Sequence, residues 1–194
     1  MRFAPNPSGP LHLGHARASV LNDYYVRKYG GKFYYRVEDT DPKRVDPEAY
    51  DMVSEDLKWL GIGITDVVYQ SDRFEIYYEH ARELIKLGGA YMCDCDNAEF
   101  RDLKLKKQAC PCRDLSVEEN LKRFDDMLAG KYEEGQITMR VKTDIAHPDP
   151  AVRDFAAMRV LKEPKHPRKP EIFVYPLMNF SVAVDVYIVD VVVW

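Results

Sequence analysis

Apolar residues recur at spacings of three and four through two stretches of the chain, and that pattern predicts amphipathic helices. In the first, Tyr50, Val53, Leu57 and Leu60 share one face of a helix that Asp46 caps, Pro47 opens and Gly61 ends. In the second, Phe74, Tyr77, Tyr78, Ala81, Leu84 and Ile85 follow Ser71, read as an N-cap, and stop at Gly88-Gly89. A third helix is predicted over 16–29, ahead of Gly30-Gly31, and a fourth from Ser116 to Gly130 with Glu118 and Glu119 in its first turn. The aromatic and β-branched run 32–38 reads as a strand, 62–64 and 67–69 as short extended pieces, and 137–142 alternates as a strand should. Residues 153–161 add further strand or helix. The valine-rich run 182–194 reads as one buried strand or two.

Over 1–89 this gives loop, helix, strand, turn, helix, helix, the cadence of an open α/β nucleotide-binding unit. Ligands of such sheets sit at the C-terminal ends of the strands, where the first loop and the turn after Glu38 fall. The character changes near residue 90, where a domain boundary is expected, with proline-rich loops at 147–150 and 164–170.

Composition narrows the class. The chain has 194 residues, 46% apolar and 31% charged, an ordinary globular balance with no apolar run long enough for a membrane span. No signal segment opens it, so a cytoplasmic location is the default. A net charge of −4 argues against a broad electrostatic grip on nucleic acid. Two basic runs nevertheless stand out: Arg101, Lys104, Lys106 and Lys107, then Arg159, Lys162, Lys165, Arg168 and Lys169 with His166. They make a local basic face plausible, against the plainer reading of solvated surface charge.

Two features carry chemistry. The loop Pro5-Asn6-Pro7-Ser8-Gly9-Pro10-Leu11 is held irregular by three prolines and a glycine, and runs into His12-Leu13-Gly14-His15. Two imidazoles at a helix N-terminus form an anion cradle, and the anion expected is a phosphate. Cys93, Cys95, Cys110 and Cys112 form two Cys-x-Cys pairs, a set suited to a structural zinc ion. Four unmodified buried thiols are the plainer reading.

These residues resemble a known family. Arg2 to Gly9 leading into His12-Leu13-Gly14-His15 is similar to the signature loop of the class I glutamyl- and glutaminyl-tRNA synthetases. Arg36-Val37-Glu38-Asp39-Thr40-Asp41-Pro42 resembles their second motif. Gln70-Ser71-Asp72-Arg73-Phe74 and the cysteine pairs look like the archaeal–eukaryotic glutamyl branch. The resemblance implies a doubly wound Rossmann-type parallel sheet with an inserted zinc-containing α+β domain that binds the tRNA acceptor stem. It divides the chain into a catalytic first half (1–89), the insertion (90–173) and a return to the catalytic domain (174–194). The implied reaction condenses glutamate with ATP, carrying Mg²⁺, and passes the glutamyl group to the 3′ end of tRNA. His12 and His15 would be catalytic, with ATP held at Pro7, His12, Gly14 and His15. Glutamate would lie against Arg2, Ala4, Asn6, Ser8 and Glu38, with Arg2 on the side-chain carboxylate and Glu38 on the α-ammonium. The basic residues between the cysteine pairs would form a loop that zinc holds against tRNA, and a monomer is expected.

The chain also departs from the family's pattern. The lysine-rich loop that grips pyrophosphate and the anticodon-binding domain are not among these residues, and the segment after Asp185 is atypical. Met178 stands about where relatives carry a substrate-stacking tyrosine. A truncated enzyme, weak or inactive as a piece, is therefore expected. A glutaminyl enzyme and a non-catalytic acceptor-arm binder are the alternatives.

Overall fold

The computed structural model describes residues 1–188. By contacts they form two compact units: Met1–Arg73 with Pro164–Glu171, and Phe74–Glu163 with the stretch from Ile172 onward. The sequence put a boundary near residue 90 and a return to the catalytic domain at 174. Packing instead groups helix 74–86 and residues 172–188 with the second unit, and returns only 164–171 to the first. The reason is burial, since Phe74, Tyr77, Phe180 and Val184 all enter the second unit's core.

The first unit is a parallel βαβαβ succession. β1 (Arg2–Phe3), β2 (Tyr34–Val37) and β3 (Asp66–Tyr69) form a sheet of order β1-β2-β3, with Phe3 opposite Tyr35 and Tyr35 opposite Val67. Helix α1 (Leu13–Tyr29) joins β1 to β2, and α2 (Ala49–Trp59) joins β2 to β3. The core comprises Phe3, Phe33, Tyr35, Val37, Val53, Leu57 and Ile62, so the predicted stripe of α2 is the face that packs. Asp46 does not cap α2. Its carboxylate accepts from Glu48 N–H at 3.0 Å, closing a turn ahead of the helix, which starts at Ala49. Gly30 ends α1 in the left-handed conformation at φ 65°, which a residue without Cβ adopts freely.

The second unit packs helices on an antiparallel sheet. α3 (Phe74–Lys86) leads to β4 (Ala90–Cys93), then come α4 (Asn97–Leu105), α5 (Val117–Leu128), β5 (Thr138–Val141), β6 (Phe155–Val160), β7 (Val174–Pro176) and α6 (Met178–Ile188). The sheet order is β4-β5-β6-β7. Ser116 caps α5 as expected, its hydroxyl accepting from Glu119 N–H at 3.2 Å. Ser71 does not cap α3; it lies in a 3₁₀ turn over Gln70–Arg73.

Two segments differ more. The stretch between the cysteine pairs, expected as a basic loop, is helix α4, which Asp96 caps by accepting from Ala98 and Glu99 N–H. The valine run expected as strand is helical through Ile188, and residues 189–194 lie outside the described residues. Among its residues with described burial, Phe180, Ser181, Val184 and Asp185 are the buried positions, an i, i+1, i+4, i+5 pattern that only a helix lays on one face. Tyr77 O–H also bonds both oxygens of Asp185 at 3.0 Å within that face. Among the described residues no helix is long and apolar enough to cross a membrane.

Candidate active site and cysteine cluster

The prolines of the first loop place it against the end of β2. Pro5 and Pro7 are buried, and their carbonyls accept from Glu38 N–H at 3.1 Å and Asp46 N–H at 2.8 Å. Asn6 Nδ2 donates to the Glu38 carbonyl at 2.8 Å, while its Oδ1 is buried with no hydrogen-bond partner. A buried acceptor left open is costly unless something else fills it, so this atom marks where a donor belongs. Leu11 N–H, bonded to Asp56 at 2.8 Å, fixes the loop's far end on α2.

Both histidines fall at the start of α1. His12 is its N-cap, its Nδ1 accepting from Gly14 N–H at 3.1 Å, and His15 Nδ1 faces His12 N–H at 3.5 Å. With each Nδ1 turned to a backbone N–H, Nε2 is the ring nitrogen that both residues have left to donate outward. The rings stack with centroids 3.8 Å apart, and Phe3 meets His15 edge-on. Burial, then the neighbouring His12, push the His15 pKa down, so its imidazole is neutral at pH 7 and donates without carrying fixed charge. Gly14 permits the stack: a Cβ there would lie 2.9 Å from His12 Cε1.

Glu38 extends from the end of β2 and bonds the buried Arg36 guanidinium at 2.6 Å, its own side chain 20% exposed. Arg2 is half-buried in β1, in register with Tyr34. Ala4 and Ser8 lie in the loop itself, Ser8 exposed and closing a turn onto the Asn6 carbonyl. Hydrogen bonds thus bring together Asn6 with Glu38, and His12 with Gly14 and His15.

A group that sequence reasoning missed stands behind Glu38. Asp39 is fully buried, its carboxylate accepting from Ser71 N–H at 2.8 Å and Tyr50 O–H at 2.9 Å. His166, equally buried, bonds the Asp39 carbonyl through Nε2 at 2.8 Å, while its Nδ1 accepts from the N–H groups of Arg168 and Lys169. Arg168 stacks 3.8 Å over Tyr69 and pairs with Asp72 at 2.8 Å. The second basic run is therefore largely committed internally, as Lys162 is also paired with Glu133. The only sequence signal was a histidine inside a basic, proline-rich loop.

In the second unit the four cysteine sulfurs lie within 4.8 Å of one another. Cys93 and Cys110 Sγ are 3.8 Å apart, Cys95 and Cys112 3.5 Å, too far for disulfides and close to the roughly 3.8 Å separation of a tetrahedral zinc tetrathiolate. Tyr91, Phe100, Leu103 and Leu115 pack around them. All four are free thiols, and burial with a hydrogen bond to Asp94 raises Cys112 to about 12. The donor set fits zinc by number, type and spacing.

The family model for the catalytic domain of class I tRNA synthetases (E and Q) matches residues 1–192. The chain belongs to that family. Among curated relatives of this synthetase domain, the glutamate–tRNA ligase of Methanocorpusculum labreanum is 87% identical over 95% of the chain, and that of Methanoculleus marisnigri 67% over 98%. The chain spans about a third of their length, 33% and 34%. A crystal structure of a glutamate tRNA ligase from Elizabethkingia meningosepticum superposes with a TM-score of 0.64 over 96% of the chain and 41% of its own, at 21% identity, a likeness of fold. The synthetase domain thus carries the candidate strand-end site in the first unit and the cysteine cluster in the second.

Proposed function

We propose that this chain is the activating part of a cytoplasmic glutamate–tRNA ligase, which joins glutamate to ATP and passes the glutamyl group to tRNA. The observation that carries the reading is that Asn6 and Glu38 meet at the C-terminal end of β2, while the stacked His12 and His15 lie against Phe3 at the end of β1, the neighbouring parallel strand. The names of relatives up to 87% identical support glutamate.

Negative charge grows on the α-phosphate and the departing pyrophosphate as the adenylate forms. The two Nε2–H groups and the free N–H groups of α1 meet that charge with fixed dipoles, which need no reorganisation. Pro7 and Gly14 shape this ATP subsite, and Mg²⁺ accompanies the ATP. Arg2 offers paired donors to the substrate's side-chain carboxylate, and Glu38 takes the α-ammonium. Ala4, Asn6 and Ser8 line the same loop, with the open Asn6 Oδ1 supplying an acceptor. Zinc held by Cys93, Cys95, Cys110 and Cys112 would supply no reactivity; it would fix α4 so that Arg101, Lys104, Lys106 and Lys107 face tRNA phosphates.

The test is amino-acid-dependent ATP–pyrophosphate exchange by the full-length parent. Glutamate should support exchange, and His15→Ala should lower kcat about 10²–10³-fold. Preference for glutamine would overturn the substrate assignment. Failure of this chain to bind ATP would favour a non-catalytic acceptor-arm binder.

A further inference from the structure

The knuckle's surroundings hold a buried cation that no carboxylate meets. Arg140 on β5 is 4% exposed and faces Tyr91 across the β4–β5 pair. Its guanidinium carbon lies 3.4 Å over the Phe100 ring, and its Nε is buried with no hydrogen-bond partner. Among the described residues no carboxylate forms an ion pair with it. Asp154, the fully buried acid in that region, is already filled: it accepts from Arg113 Nε at 2.8 Å, Tyr91 O–H at 3.0 Å and Thr143 N–H at 2.8 Å. Asp94 is taken by Arg123 at 3.0 Å. Arg153, also buried, bonds only main-chain carbonyls, including Lys104 and Leu105 at the end of α4.

A buried cation without a counter-ion is expensive, so a chain that keeps one there has negative charge to meet it. The sulfur beside Arg140 is that of Cys93, which lies two pairs along the same β4–β5 ladder and within hydrogen-bond reach of the guanidinium, and Phe100 under that guanidinium packs with the cysteines. Four thiolates around one divalent cation carry a net charge of −2, the sign and location required.

We propose that Arg140 is the counter-charge of the cysteine centre: a positioning residue, held by Phe100, that stabilises the anionic metal-loaded tetrathiolate and meets no counter-ion in the metal-free knuckle. This rests on the reading that the four cysteines bind metal. Its consequence is a sign difference. Removing the charge should weaken the loaded state and leave the metal-free state unharmed, whereas loss of packing alone would weaken both alike.

The experiment titrates the reduced 194-residue chain with Co²⁺ and Zn²⁺, following the sulfur-to-cobalt charge-transfer absorption, and measures melting with and without metal. Arg140→Met, which keeps an unbranched chain over Phe100, should bind metal about 10- to 100-fold more weakly. Its metal-free melting temperature should equal or exceed that of wild type, and Arg140→Lys should recover most of the affinity. Wild-type affinity in Arg140→Met, or equal destabilisation with and without metal, would overturn the proposal. So would an Arg140→Met chain that fails to fold without metal where wild type folds. Absence of the cobalt absorption in wild type would instead overturn the metal reading beneath it.

Discussion

Replacing Asp39 by asparagine removes a charge from a place that solvent does not reach. The carboxylate accepts two hydrogen bonds, from Ser71 N–H and Tyr50 O–H, and His166 Nε2 lies 3.8 Å from one of its oxygens. An asparagine can keep its oxygen toward Ser71 and turn its amide toward Tyr50, whose hydroxyl reverses from donor to acceptor. Both bonds then survive as neutral ones. Bonds to charged groups contribute about 1.5–3 kcal/mol and neutral ones about 0.5–1.5, so the exchange costs about 2 kcal/mol. Asp39→Ala leaves a buried N–H and a half-buried hydroxyl without acceptors, at about 1–3 kcal/mol each with the hydroxyl at the low end, and opens a cavity, for a total of about 4 kcal/mol. Urea unfolding at pH 7.5 reads both through the midpoint, with an unchanged slope as the check that the denatured state is the same. An Asp39→Asn chain within about 0.5 kcal/mol of wild type, or equal losses in the two variants, would refute the view that this carboxylate anchors the turn behind Glu38.

Gly14→Ala separates stability from function. The new Cβ meets His12 Cε1 at 2.9 Å, so the ring must shift from its place over His15, while alanine suits the helix better by about 1 kcal/mol. Melting should therefore hold or rise while exchange by the full-length parent falls at least about tenfold; unchanged exchange would release His12 from its assigned role. His166 sets a pH limit. Burial holds its folded pKa below the ordinary 6.5 of the unfolded chain, so the unfolded state binds more protons as pH drops. Its contribution is intact above about pH 6.5 and is lost below it. Urea midpoints from pH 7.5 down to 5 should fall more steeply in wild type than in His166→Gln, and parallel profiles would remove His166 as the cause.

The parts legible in sequence were those fixed by neighbours along the chain. The prolines of the first loop and the Gly30 stop act within a few residues, so α1 and its histidine-bearing start could be read directly. The apolar stripes that α2 and α3 each turn to the core of their own unit were visible for the same reason. Other parts were decided across space. Val182, Val184 and Val186 favour a strand by β-branching, and burial of Phe180, Val184 and Asp185 on one face overrides that preference. α4 hid between cysteine pairs because its apolar contacts, Phe100 and Leu103, belong to a small separate cluster. Ser71 looked like a helix cap, but its N–H is claimed by Asp39, 32 residues earlier.

The same long-range contacts explain how the chain can leave the first unit and re-enter it without loosening this site. The chain leaves the first unit after Arg73 and re-enters it at Pro164. Arg168, just inside the re-entry, donates to Ser71 Oγ at 3.2 Å and pairs with Asp72, both just inside the exit. One side chain therefore clips the two ends of the insertion together, and termini held close are what an inserted domain requires. His166 extends the clip inward, reaching Asp39 across 127 residues. Glu38 is consequently fixed from two directions: its N–H and carbonyl by Pro5 and Asn6 upstream, and its neighbour Asp39 by His166 downstream. A piece of chain ending before residue 164 would contain every residue of the two signature motifs and still lack the imidazole that holds the second one in place.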